Sequence, residues 1–246
     1  NGTFSSPYIG TLVGSMTWSG TKYIGGDITV DNEKLTISAG SKIIFLNTMA
    51  DLRIVTTGQL EVKGTSTSGV TFTADFDNDG RYGEAGEYWG NILFTSTAAS
   101  SVSYSTIEFG VKTEAGPTGI GGGISISSTS VTVNNVIIRN CTANKGGAIH
   151  IGASKSPVLS RVLVYNCVAQ EGGAIYIAAG ASPTISNCIL RKNQSSSASL
   201  SGGAIVSYGS SAKIINCTVV QNTAATTSGQ SMRLDNSPGM LIINTI

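Results

Sequence analysis

A short glycine-led phrase recurs along the second half of this chain at nearly constant spacing, and it restricts the possible folds more than any other feature. Gly121-Gly-Gly-Ile124, Gly146-Gly-Ala-Ile149, Gly172-Gly-Ala-Ile175 and Gly202-Gly-Ala-Ile205 begin 25, 26 and 30 residues apart. A degenerate copy, Gly229-Gln-Ser-Met232, follows after 27. A second phrase, apolar-x-x-apolar-x-apolar-x-x-(Asn or Cys), keeps its place in every repeat. It reads Val133, Val136, Ile138, Cys141, then Leu159, Val162, Val164, Cys167, then Ile185, Cys188, Leu190, Asn193, then Ile214, Cys217, Val219, Asn222. Self-similarity at a fixed period of this size is the sequence mark of stacked structural units.

Each unit contains short alternating segments such as Ile149-His-Ile151 and Ile175-Tyr-Ile177. Period two means strand, and no segment carries a 3.6-residue apolar stripe. Strands of three to five residues, punctuated by Gly, Ser, Asn and Pro, cannot bury an apolar face alone; stacking one unit on the next can. About 25 residues per rung with two or three strands predicts an all-β parallel β-helix, a solenoid. Aligning Ile28, Leu52, Ile92, Ile124, Ile149, Ile175, Ile205 and Met232 gives about eight rungs, a rod of roughly 35–40 Å at ~4.8 Å per rung. The step of 40 residues from Leu52 to Ile92 places an inserted loop at 74–88. Residues 1–23, with Phe4, Tyr8, Leu12, Met16 and Trp18, are expected as an N-terminal cap and 24–246 as the β-helix. An antiparallel sandwich would show hairpin signals between longer strands rather than fixed repeats.

The glycine pair suits a sharp turn with positive φ and a close approach of successive backbones. Asn135, Asn187, Asn216 and Asn244 share one place in the repeat, interrupted by Arg161, and are expected to form an amide ladder along the rod.

Composition narrows the partners. Only 12% of residues are charged, half the ~25% of ordinary domains, yet 40% are hydrophobic, so a core forms and wholesale disorder is excluded. A net charge of +1 argues against a general nucleic-acid binder. The balance is uneven, net −5 over residues 1–115 and +6 over 116–246, so one end of the rod is acidic and the other mildly basic. No apolar run reaches ~18 residues, the length of a spanning helix. The chain opens on Asn with no charged-then-apolar leader, as expected once a signal peptide has been removed.

Gly-Gly-Ala-Ile at 146, 172 and 202, paired with Leu163-x-x-Asn166, Leu190-x-x-Asn193 and Val219-x-x-Asn222, resembles the GGAI and FxxN repeats of polymorphic outer-membrane proteins, with Ile, Leu or Val in place of Phe. More broadly, residues 24–246 resemble bacterial secreted right-handed parallel β-helix proteins of the pectin-lyase-like superfold. The resemblance implies a right-handed coil, export, surface display, and adhesion or glycan contact.

The insertion is the most chemical stretch. Asp75, Asp77, Asp79, Glu84 and Glu87 fall within thirteen positions, and carboxylates at 1, 3 and 5 with Gly80 at 6 follow the opening of a calcium loop. Position 12 is Gly86, and no helices flank the segment, so a full EF-hand is excluded; a calcium site of these five carboxylates is expected, against a plain solvated acidic loop. Magnesium suits an all-protein cage less well, and zinc lacks Cys or His nearby. The four cysteines fit no zinc spacing. Cys141 stacks over Cys167 and Cys188 over Cys217, within disulfide reach, but Val136 and Val162 share the latter column, which favours buried thiols.

His150, the only histidine, alternates with inward Ile149 and Ile151 and is expected on a solvated outward face beside Tyr176. Arg139, Tyr165 and Arg191 form another outward column, with Lys192 beside the last. Basic and aromatic groups at rung spacing could stack on and hydrogen-bond an anionic glycan, so His150, Tyr176, Arg139, Tyr165, Arg191 and Lys192 are the candidate glycan-binding residues, with simple solvation as the alternative. No nucleophile elbow, P-loop or dinucleotide motif is present.

The expected protein is therefore non-catalytic, exported to the cell surface or medium, and adhesin-like or scaffolding, with a surface glycan or a host or neighbour-cell protein as partner. The rival is a polysaccharide lyase or another glycan-active enzyme on the same fold, which needs a cleft holding a carboxylate or His close to Lys or Arg. Leu241-Ile-Ile-Asn-Thr-Ile246 ends on an apolar strand without a lid, so further rungs or a membrane-attachment or secretion domain are expected beyond Ile246.

Overall fold

The computed structural model describes residues 7–114, 119–128, 130–198, 201–225 and 229–246. Every regular element among them is a strand, and every strand pairing is parallel. No helix of the described residues is long and apolar enough to cross a membrane, which says nothing of a β-barrel. The chain winds as a parallel β-helix whose turns stack in register.

The first face carries the isoleucine column. Ile28, Leu52, Ile92, Ile124, Ile149, Ile175, Ile205 and Met232 pair one above the next in the alignment expected from the repeats. The second face stacks Ile37, Val62, Val102, Val133, Leu159, Ile185, Ile214 and Ile242. The third stacks Phe72, Ile107, Ile138, Val164, Leu190 and Val219. The three columns meet inside the coil as one apolar core, most of it fully buried. A short fourth face was not legible in the sequence. Val111–Lys112, Thr142–Lys145, Val168–Glu171, Gln194–Ser195 and Thr223–Ala224 pair in one further sheet. Its buried positions, Ala143, Ala169 and Ser195, are small and give no apolar alternation to read.

Residues expected as a cap enter the coil's own register. Tyr8 pairs with Ile24, Met16 with Leu35 and Thr21 with Lys42, so this segment covers the rung above as another turn of the coil. Residues 1–6, including Phe4, lie outside the described residues.

In the rungs from Tyr104 to Gln221, two corners are made by single residues in the left-handed region, and Asn244 repeats the first of them. Tyr104, Asn135, Arg161, Asn187, Asn216 and Asn244 turn the second face into the third, with φ between 47° and 55°. Phe109, Asn140, Asn166, Lys192 and Gln221 turn the third into the fourth, with φ between 55° and 61°. Asn tolerates this conformation better than other non-glycine residues. That preference, more than an amide ladder, explains the asparagine column. Only Asn244 Nδ2 donates to Asn216 Oδ1 (3.1 Å), while Arg161 reaches down to Asn134 and Asn135.

The buried ladder lies one residue beyond the third-to-fourth corner, where Cys141, Cys167, Asn193 and Asn222 share a column. Asn193 Oδ1 accepts from Cys167 N (3.0 Å), Asn193 Nδ2 donates to Asn222 Oδ1 (3.0 Å), and Asn222 Nδ2 donates to Leu190 O (2.9 Å). All four cysteines are free and buried. Burial pushes the Cys167 thiol well up, and the adjoining Cys217 thiol and then burial push Cys188 up, so both are protonated and inert at neutral pH. Trp89 closes the core beneath the insertion. It is fully buried, stacks on Phe45 (4.1 Å between centroids, 12° between planes) and donates from Nε1 to Glu108 O (2.7 Å).

Two substitutions test what holds the stack. A Cβ at Gly147 would run into the Gly173 carbonyl oxygen of the next rung, so Gly147→Ala is expected to lower unfolding free energy by about 2 kcal/mol or more in denaturant melts. Asn193→Ala leaves the buried Cys167 N–H without its acceptor and is expected to lower stability by about 1–3 kcal/mol. Stability unchanged in either variant would count against the corresponding contact.

Candidate functional site

The outward positions of the first face read Arg53, Leu93, Ser125, His150, Tyr176 and Val206 up the coil. They are not a flat solvated surface. The fourth face and the segments that bound it stand beside this column, and the space between forms a groove. Its lower part, about 420 Å³, is lined by Asp51, Arg53, Asn91, Leu93, Lys112, Glu114 and Ile120. Its upper part, about 630 Å³, is bounded by Ile120, Lys145, His150, Gln170 and Tyr176. Ile120 belongs to both walls, so the two concavities adjoin. From the Arg53 rung to the Tyr176 rung is four steps, about 19 Å, a span for an oligomer rather than a single small molecule.

His150 departs from the sequence expectation. It is 8% exposed, and its ring lies parallel to that of Tyr176 on the next rung (5.5 Å between centroids, 6° between planes). The alternation correctly turned it away from the core, but the overhanging fourth face covers it. Burial, and then the Lys145 charge, pull its pKa down to about 4, so the imidazole is neutral at pH 7. Its Nδ1 is buried without a hydrogen-bond partner. Lys145 Nζ sits 4.8 Å from the Tyr176 ring centroid and 3.4 Å from Glu171 Oε2. Burial pulls the Lys145 pKa down, but Tyr176 and Glu171 outweigh it, and the net shift is upward.

The lower groove holds a charge cluster that sequence reasoning missed. Lys112 Nζ lies 3.4 Å from Asp51 and 2.8 Å from Glu114. Arg53 Nη2 bridges Asp51 (3.2 Å) and Asp27 (3.0 Å). Asp51, 3% exposed, also accepts from Asn91 N (3.1 Å). A Cβ at Gly90 would overlap Asp51 Oδ1, so glycine there makes room for the carboxylate. Asp51 and Lys112 are 61 positions apart, and Lys112 lies on the fourth face, so no local pattern linked them.

Arg139, Tyr165 and Arg191 stack as expected on the third face, apart from this groove. The polar groups of Arg139 and Tyr165 are met by one another and by Glu108, while Arg191 packs on the Tyr165 ring. Thr73 Oγ1 donates to Glu108 (3.0 Å), Arg139 donates to Glu108 Oε2 (2.6 Å) and to Tyr165 OH (2.9 Å), and the Arg191 guanidinium lies 4.7 Å from the Tyr165 ring centroid. Tyr165, then Glu108, raise the Arg139 pKa against burial. Lys192 occupies the adjoining left-handed corner, exposed. Of the six candidate glycan contacts, the fold therefore brings His150 and Tyr176 together in a groove, leaves Arg139, Tyr165 and Arg191 in an internally paired column, and leaves Lys192 exposed beside them.

The acidic residues of the insertion converge in two overlapping sets, Asp75, Asp77 and Glu87, and Asp77, Asp79 and Glu84. In each set, one oxygen per residue lies within 4.8 Å of the others.

The family model described as "Right handed beta helix region" matches residues 91–237. No curated protein matches the chain, and no solved structure does.

The buried imidazole predicts a pH dependence. His150 titrates near 6.5 when unfolded and near 4 in the fold, facing Lys145 and Tyr176, with Glu171 behind Lys145. Between these values the unfolded chain holds the extra proton. Stability therefore falls as pH drops through the window, by about 3 kcal/mol across it. Denaturant melts at pH 7 and pH 4.5 should show most of this loss, and His150→Gln should lose much less. An equal loss in the variant would assign the effect to other groups.

Proposed function

The chain belongs to the right-handed β-helix family, and on that premise we propose that it is an exported, non-catalytic surface module that binds a glycan in the groove beside its first face. A β-helix of this family fits a glycan-related or surface protein in general. The observation that carries the narrower reading is the upper groove, where His150, Tyr176 and Lys145 sit together at a concave wall.

The ring geometry specifies how a glycan would be held. His150 and Tyr176 face each other along the coil, with Ser125 below and Val206 above in the same column. Their faces are occupied, so the polar edges are what the groove can use. A neutral imidazole offers one N–H donor and one bare nitrogen, a match for sugar hydroxyls. Each cation on the walls already has a carboxylate partner, Lys145 with Glu171, Lys112 with Asp51 and Glu114, Arg53 with Asp51 and Asp27. This pairing favours a neutral, hydroxyl-rich oligosaccharide over the anionic one expected from the third-face column.

The rival reading, a glycan-cleaving enzyme, draws on the carboxylate–ammonium cluster of the lower groove. Against it, both Asp51 oxygens are committed, and an imidazole titrating near 4 is a weak base at neutral pH. Calorimetric titration with a panel of neutral and uronate oligosaccharides separates the two. Binding of a neutral oligosaccharide, weakened at least tenfold by Tyr176→Ala and unchanged by Arg191→Ala, is the expected outcome. Release of unsaturated or reducing products would overturn the non-catalytic reading, and binding abolished by Arg191→Ala would move the site to the third face.

A further inference from the structure

The insertion between Val70–Ala74 and Trp89 holds two carboxylate sets that differ in how their charge is met. Arg81 serves the outer set, with Nε 3.7 Å from Asp79 and Nη1 3.5 Å from Glu84. Among the described residues, no Lys or Arg pairs with Asp75, Asp77 or Glu87. This inner set is also the sheltered one. Asp75 is 1% exposed and Glu87 9%.

Backbone amides hold the inner carboxylates in place. Asp75 Oδ2 accepts from Gly80 N (3.1 Å), Glu87 Oε1 from Phe76 N (2.7 Å), and Glu87 Oε2 from Glu84 N (3.1 Å). Asp75 Oδ1 is buried and has no hydrogen-bond partner. A sheltered carboxylate oxygen without a donor is unfavourable unless a proton or a cation covers it.

We propose that Asp75, Asp77 and Glu87 bind one Ca²⁺ ion, and that Asp79 and Glu84 serve as the counter-charge of Arg81. The ligand set is three carboxylates rather than the five expected from spacing alone. Hard oxygen ligands on a turning loop suit calcium, which accepts irregular geometry and fills its remaining positions with carbonyl oxygen or water. Magnesium demands a near-ideal octahedron and keeps its waters. The ion would tie Asp75, just after Val70–Ala74, to Glu87, two residues before the buried Trp89, and so clamp the neck of the insertion against the core.

Calorimetric titration of the metal-depleted chain with CaCl₂ tests this. One ion per chain is expected, with MgCl₂ binding at least tenfold more weakly. Asp77→Asn, at an exposed position, should weaken calcium at least tenfold, while Glu84→Gln should change it less than twofold. Circular dichroism of each variant without calcium checks that the coil is intact. No uptake of calcium at millimolar concentration by the folded chain would overturn the proposal. So would a loss with Glu84→Gln as large as with Asp77→Asn, which would place the ion in the outer set.

Discussion

Each turn of this coil hydrogen-bonds to the next through parallel strand pairing, and that pairing fixes the rise per turn at ~4.8 Å. Everything else follows from the fixed rise. A side chain at one position meets its counterpart one repeat later at van der Waals distance, so each inward column must keep a nearly constant size. The Ile28-to-Met232 column satisfies this with Ile or Leu at every level but the last. The glycines at 147 and 173 satisfy it at the opposite extreme, since a Cβ would strike the backbone of the next rung.

The same rise governs the polar groups. Several charges of this sparsely charged chain pair along the coil axis, between rungs. Glu108, Arg139 and Tyr165 belong to three successive rungs and bond in sequence, and Asn193 and Asn222 do the same inside the core. Corners are set by backbone conformation instead. A residue held at φ near 55° turns one face into the next, which is why Asn recurs there and why Arg161 and Lys192 also stand at corners.

Chemistry collects where the coil departs from regularity. The fourth face, made of short strands with small buried residues, rises beside the first and makes a groove of what would otherwise be a flat sheet. That overhang, and no feature of residue 150 itself, buries the imidazole and lowers its pKa. The insertion at 75–88 is the other departure. Its acidic residues lie outside the repeat, where no neighbouring rung presents a cation in register, leaving the Asp75–Asp77–Glu87 set without a cation among the described residues.

The sequence alone determined the coil. Fixed repeats, period-two strands and glycine pairs dictated parallel stacking, the rung alignment, the place of the insertion and the cysteine columns, because each is a local property repeated in register. Tertiary structure alone decided which outward faces are open. His150 and Arg139 look alike in the repeat, each one step from a buried isoleucine. One is enclosed beside the fourth face and the other is neutralised by Glu108 and Tyr165. The Asp51–Lys112 pair spans 61 positions, and the Arg81 pairing that divides the acidic loop in two depends on how that loop folds back. Local alternation says which way a side chain points; only the neighbouring rungs and the overhanging face say what it meets there.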